Sequence, residues 1–496
     1  MAVAAEKELR MSGFPRFRSS FAALALVAGA SLFTGPLAAQ TTIPGSVAPV
    51  APSAPAAAPK PAAPIATPAP AATPAPAPVA TAPAAPAAAP PQDGGMSGAL
   101  APAAHPPAPK KRKKAAPPPP PRETELSTST EPSFTPDTFY ATAKASERYD
   151  AIAQAGGWPT VAAASPGARG KAVATLRKRL SIEGDLPESK AAGDVYDADV
   201  KTAVLSFQDR HGLRKTGAVN GATLKAMNVP AAARFRQLVS SAQRMAGYMF
   251  SFGERYVVVN IPSASVEAVQ GGTVARRYVA VVGDVEHPSP ETVAKIQAVN
   301  LNPTWTVPAS IIKNEIIPKM QRDPGYLSRA NIRILTNQGK EVSPRAINWS
   351  TEQAANYILR QDSGRGNALG DIRIAMPNKD AVYMHDTPSK GYFGRDYRFL
   401  SHGCVRVQGV YDLAAWLAEP VRGGAWDKKA ITSAISTGER KDINLPAAVP
   451  VAWVYLTGYA SRDGLAHFRP DVYGLDSVGP GDAAEAPRPV KPMASR

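Results

Sequence analysis

The sequence predicts a multidomain protein: a small three-helix module, then a mainly-β domain carrying a helical insertion, all preceded by a long disordered Ala/Pro-rich stretch. Three observations predict it. Apolar residues recur three and four apart between residues 165 and 230, β-branched runs dominate beyond Arg255, and 25 of the 51 prolines fall between Thr41 and Pro121.

The first 39 residues have the order of a secretory signal: Lys7, Arg10, Arg16 and Arg18, an apolar run from Phe21 to Phe33, then small residues at Ala38 and Ala39. That run is shorter than the roughly 20 residues a bilayer span needs, so export with cleavage and no permanent membrane span is expected. Residues 40–138 form the expected linker. Proline removes amide donors and alanine offers little to bury, so an extended, partly polyproline-like chain is expected, rising about 3.1 Å per residue. Residues 1–121 hold ten basic and three acidic side chains, +7 of the formal +16, including the run Lys110, Lys111, Arg112, Lys113 and Lys114. The remainder is only moderately basic, and the charge does not point to nucleic acid.

Residues 139–164 read as a helical lead-in stopped by Gly156, Gly157 and Pro159. The module at 165–230 places Val173, Leu176 and Leu180 on one helical face, and Val200, Ala203, Val204 and Phe207 on another at i, i+3, i+4 and i+7. His211 at the end of that second helix reads as structural. From 254 to 476 the runs "RYVVVNIPSASVEAV" and "ARRYVAVVGD", separated by Gly-Gly, read as a hairpin. Residues 309–366 are helical in pattern and read as a lid inserted in this β domain. Residues 477–496 are expected to be a disordered tail.

Cys404 is the one cysteine of the chain and stands in "FLSHGCVRVQG". An exported protein with one cysteine forms no internal disulfide, and a buried cysteine is ordinarily a small hydrophobe. A nucleophilic thiol needs a base, and two histidines are candidates: His402, which an extended strand would put on the same face as Cys404, and His385, on another strand end. Gly403 permits close approach of a substrate to the backbone, leaving its amide and that of Cys404 for an oxyanion. His385, Asp386, His402 and Cys404 are zinc-ligand types, but no CxxC or HxxxH spacing accompanies them, and no metal or other cofactor is expected. On spacing alone, a Cys/His nucleophile and a structural cysteine both stay open.

The segment "HDTPSKGYFGRDYRFLSHGCVRV" resembles the signature of the L,D-transpeptidase (YkuD-type) catalytic domain. The wider set "LNPTWTVPASI", "RDPGYL", "NALG", "LAAWL" and "HFRPDVYG" is similar to that family's larger, lid-bearing branch. The motifs "VYD", "AV..FQ..HGL" and "G.V...TL" resemble the peptidoglycan-binding domain of wall enzymes. The resemblance implies a periplasmic enzyme acting on peptidoglycan stem peptides and glycan. Cys404 would be the nucleophile, His385 its base oriented by the Asp386 carbonyl, and Ser401, His402 and Gly403 would shape the site. Arg406 would meet a stem carboxylate, with Trp305 and Tyr383 as cleft walls. It further implies a cysteinyl thioester, loss of D-alanine, and transfer to an amine, giving a cross-link between third residues or an attached envelope protein. Water as acceptor would give a carboxypeptidase, and loss of chemistry would leave a wall-binding tether.

Overall fold

The computed structural model describes residues 122–421 and 426–476. The expected signal, the linker up to residue 121 with its basic run, and the expected tail lie outside the described residues.

Residues 122–137 depart from the linker expectation: they form an ordered strap. From Arg122 to Glu131 there is no proline, so every amide can donate. The Glu125 amide donates to Gly212 O (3.0 Å), Arg214 N to Glu123 O (2.8 Å) and Val274 N to Thr130 O (2.8 Å). Ser133 donates through N and Oγ to the buried Glu267 carboxylate (2.8 and 3.0 Å). Arg277 closes the strap from beneath, donating to the carbonyls of Ser127 (2.7 Å) and Ser129 (2.6 Å). A cleft of about 340 Å³, bordered by Leu126, Leu213, Pro262 and Phe399, lies in this seam and does not include Cys404 in its walls.

Five helices follow: α1 (Thr138–Gln154), α2 (Lys171–Glu183), α3 (Ala198–Arg210), α4 (Gly221–Met227) and α5 (Ala231–Ala246). The apolar faces expected from spacing meet in one cluster, with Leu176, Leu180, Val200, Val204 and Phe207 all fully buried. Each such side chain contributes roughly 1.5–3 kcal/mol by leaving water. Helix α5 buries Leu238 and Met245 against the strands and α1. Its apolar positions are diluted by Arg234, Arg236 and Arg244, which mask the period.

A buried ion cluster joins the module to the rest. Glu183 receives Arg179 (2.6 Å), Arg210 (3.0 Å) and the Tyr149 hydroxyl (2.8 Å), and Asp185 receives Arg210 at 2.5 Å. Burial alone would raise the Glu183 carboxyl, but Arg210 and Arg179 outweigh it and hold it well below the usual range. Arg210 also donates to the carbonyl of Ala466 (2.6 Å), and Arg469 donates to that of Arg210 (2.7 Å).

The β domain contains β1 (Arg255–Asn260), β2 (Ser265–Gln270), β3 (Thr273–Gly283), β4 (Thr292–Leu301), then, after the insertion, β9 (Ile372–Ala375), β10 (Met384–His385), β11 (Phe399–Ser401), β12 (Val405–Val407) and β13 (Lys441–Val454). Its order is β11-β3-β12-β10-β9-β4-β13-β1-β2, and β2 pairs again with β3, closing the sheet on itself. The expected hairpin is present as β2–β3, while the run "RYVVVNIPSASVEAV" divides at a 3-10 turn, Ile261–Ser263, into two antiparallel strands. Helices α9 (Val410–Ala418) and α10 (Lys428–Ser436) add Leu413, Leu417 and Ile431 to the core, and β14 (Gly458–Ala460) with β15 (Ala466–Phe468) forms a C-terminal hairpin.

The insertion is not only helical. It holds β5 (Trp305–Thr306), α6 (Ala309–Ile311), a π-helical turn (Ile312–Ile316), α7 (Ile317–Arg322), α8 (Tyr326–Arg329), β6 (Ile332–Leu335), β7 (Glu341–Val342) and β8 (Ile358–Gln361). The four strands form their own sheet, β5-β8-β6-β7, over a separate core of Ile312, Ile316, Met320, Ile334 and Leu359. Strands two to four residues long fall below what alternation can reveal. No helix among the described residues is long and apolar enough to cross a membrane.

Candidate active site

Strand β10 lies between β9 and β12, antiparallel to the first (His385↔Arg373) and parallel to the second (His385↔Arg406). Met384 and Val405 are register partners, both fully buried in the core. Alternation therefore turns Tyr383, His385, Arg373 and Arg406 to the opposite face. Val405 N–H donates to Tyr383 O (3.1 Å), which brings the residue before it, Cys404, beside Tyr383.

Cys404 lies in a tight turn between β11 and β12, not in the extended strand expected for "SHGCVRVQ". The same-face argument for His402 and Cys404 fails with it, because Gly403 has φ +96°. His402 instead faces the lid: its Nε2 is 3.1 Å from Glu315 Oε1, and its ring is 4.4 Å from that of His287. The carbonyls of the turn are tied down. Ser401 Oγ donates to Cys404 O (2.5 Å), Ser289 Oγ to Gly403 O (2.7 Å) and Asp284 N to Ser401 O (2.8 Å). Among the described residues the amides of Gly403 and Cys404 have no protein acceptor.

His385 is buried, and burial, reinforced by the Arg406 charge, pushes its imidazole down to about 3. Backbone groups of Asp386 and Leu369 oppose that shift, and Nδ1 has no hydrogen-bond partner among the described residues. Burial pushes the Cys404 thiol up, against hydrogen bonds from Tyr383 and the charges of Arg406 and Arg373. Both groups are neutral at rest. Tyr383, whose ring lies 5.7 Å from that of His385, has its hydroxyl raised by burial and by Cys404, with Trp305 of β5 acting against that shift. Tyr383 thus lies beside Cys404 and near His385, whose register partner is Arg406.

The buried Asp386 carboxylate accepts from Asp371 N (3.2 Å) and pairs with Lys390, while its backbone, the part expected to orient His385, is among the groups acting on that imidazole. His402 is at the rim. No group of three or more His, Cys, Asp or Glu able to hold a metal occurs among the described residues. Arg373, Glu315 and His287 were not anticipated. Arg373 is a polar residue alternating with Ile372 and Ile374 on its own strand, a pattern readable in the sequence, but its pairing with His385 is across strands; Glu315 depends on the lid fold and had no sequence signal.

Gly370 supports the site from behind. Its φ is +61°, and a Cβ there would lie 2.5 Å from Asp386 Oδ2. Gly370→Ala is expected to cost about 1–3 kcal/mol through backbone strain and overpacking and to slow acylation by shifting Asp386 and its neighbour His385. A thermal melt and an acylation time course check both.

The family profile described as the L,D-transpeptidase catalytic domain (YkuD) matches residues 254–435, and that described as "Putative peptidoglycan binding domain" matches residues 169–227. A Haemophilus influenzae protein named "Putative L,D-transpeptidase" is 33% identical over 221 residues, which is 44% of this chain and 44% of that protein. The chain thus spans under half of that relative's length. An L,D-transpeptidase structure from Xylanimonas cellulosilytica is 17% identical, covering 60% of this chain and 98% of its own, with a TM-score of 0.20. One from Mycobacterium smegmatis is 14% identical, covering 40% and 58%, also with a TM-score of 0.20. At those scores the two structural likenesses carry no argument. The profile matches agree with the β domain built around Cys404 and the helical cluster before it: the chain carries a YkuD-family L,D-transpeptidase catalytic domain, with a peptidoglycan-binding domain ahead of it.

Proposed function

We propose that this chain is an exported, periplasmic enzyme that moves acyl groups between peptidoglycan stem peptides through a thioester on Cys404. The supporting observation is that Tyr383 lies beside Cys404 and 5.7 Å ring to ring from His385, next to the amides of Gly403 and Cys404, which have no protein acceptor among the described residues. As the Cys404 sulfur attacks the carbonyl of the third stem residue, His385 takes the thiol proton. The amides of Gly403 and Cys404 hold the oxyanion. Collapse breaks the amide bond, and His385 returns its proton to the departing D-alanine amine. The thioester then passes to an amine on a second stem or on an envelope protein. Arg406 and Arg373, neither in a salt bridge among the described residues, suit the stem's carboxylates. The lid, reaching Tyr383 through Trp305, limits water at the thioester.

Incubation with tetrapeptide muropeptides and mass analysis of products tests this. Release of D-alanine with a dimer supports it, release with a tripeptide alone makes the enzyme a carboxypeptidase, and unchanged substrate leaves a wall-binding tether.

The proton inventory gives a pH prediction. Because His385 stays unprotonated down to about pH 3, its base form is fully present between pH 5 and 7. The acylation rate is therefore expected to hold level as pH falls through 6.5, the ordinary imidazole range. Stopped-flow acylation across pH 5–9 checks this, and a tenfold loss per unit beginning near 6.5 contradicts it.

A further inference from the structure

Two substrates of opposite local charge must reach one sulfur. The face around Cys404 is cationic, with Arg406 and Arg373 both close enough to act on the thiol. That suits a donor carrying carboxylates and repels an acceptor arriving as an alkylammonium ion. Of the nearby carboxylates, Asp386 is buried and occupied, and Asp284 serves His287 at 3.1 Å. Glu315 differs. It projects from the lid's π-helical turn, where Ile312 and Ile316 face the lid core, and π-helical turns are frequent at functional sites. One oxygen is 3.1 Å from His402 Nε2, two residues from Cys404, and the other is 2.7 Å from Lys319 Nζ. The carboxylate stays about a third exposed.

Lys319 is informative because its side chain ends in a primary alkylammonium, the group that the acceptor must present. It already occupies Glu315 Oε2 in this structure. Resting on the acyl-transfer reading of Cys404, we propose that Glu315, held by His402 at the turn, is the docking point for the acceptor's ammonium group. The acceptor takes the place of Lys319 or shares the carboxylate with it, loses one proton to water, and attacks the thioester. The C–N bond forms as C–S breaks, and the amine's second proton returns through His385 to the sulfur. Glu315 thereby determines which nucleophile is used and takes no part in forming the thioester.

The full chain is incubated with tetrapeptide donor and either a tripeptide acceptor bearing a side-chain amine or hydroxylamine, which is largely uncharged at neutral pH. Mass spectrometry reads the ratio of amide or hydroxamate to hydrolysed product. Glu315→Gln is expected to lower the ratio about tenfold for the alkylammonium acceptor, the scale of one charge-assisted hydrogen bond, and to leave the hydroxamate ratio within about twofold. Glu315→Asp, which keeps the charge, should recover most of the loss. Equal losses for both nucleophiles, or none, overturn the proposal. A wild-type chain that only hydrolyses its thioester overturns it while leaving the thioester intact as a reading; a chain that forms no thioester removes both.

Discussion

Cys404→Ala is expected to eliminate D-alanine release and dimer formation from tetrapeptide muropeptides, a loss of roughly four orders of magnitude or more. In the proposed mechanism the substitution removes the atom to which the acyl group would be bonded, so no residual route would pass through a covalent intermediate. Folding should be little affected. Cys404 is only partly buried at the edge of the core, its carbonyl still accepts from Ser401, and alanine fits the turn. Intact-mass analysis after incubation with substrate should show an acyl adduct on the native chain and none on the variant, with unchanged melting curves. Persistent dimer formation by a folded Cys404→Ala protein would refute the thioester.

The second large effect is on stability. Glu183→Gln is expected to destabilise the chain by roughly 3–5 kcal/mol, because it leaves the buried guanidiniums of Arg179 and Arg210 short of a counter-charge. Asp185 still holds Arg210, which keeps the effect from being larger. The sign with pH follows from the lowered carboxyl. The stability that Glu183 contributes is fully present above its unfolded value and is lost only as pH falls through the folded value, well below it. Urea melts at pH 7 should separate native and variant proteins widely, and the gap should narrow on acidification below pH 4.

The helical core was legible because amphipathic helices write their buried face at a fixed interval: Val173, Leu176, Leu180, Val200, Val204 and Phe207 all lie inside. The β domain was legible from its β-branched runs. The strap was not, because nothing in "RETELSTSTEPSF" alternates; it is ordered by partners such as Glu267 and Arg277, far away in sequence. The proposed site was half legible. A histidine and a cysteine in a recognisable frame located the strands β10 and β12, but position alone could not say that Cys404 sits in a turn or that His402 turns toward Glu315. Those directions depend on the φ of Gly403 and on a lid element whose contacts come from another core.

The clasp formed by Arg210 on Ala466 and by Arg469 on Arg210 bears on how the two domains can work together. Under the proposed function, a module clasped in this way and holding the wall would fix the effective concentration of stem peptide at Cys404. That concentration would be high for strands whose spacing matches the fixed offset and close to nil for the rest. The wall's own geometry would then become a selection rule for where the chemistry occurs.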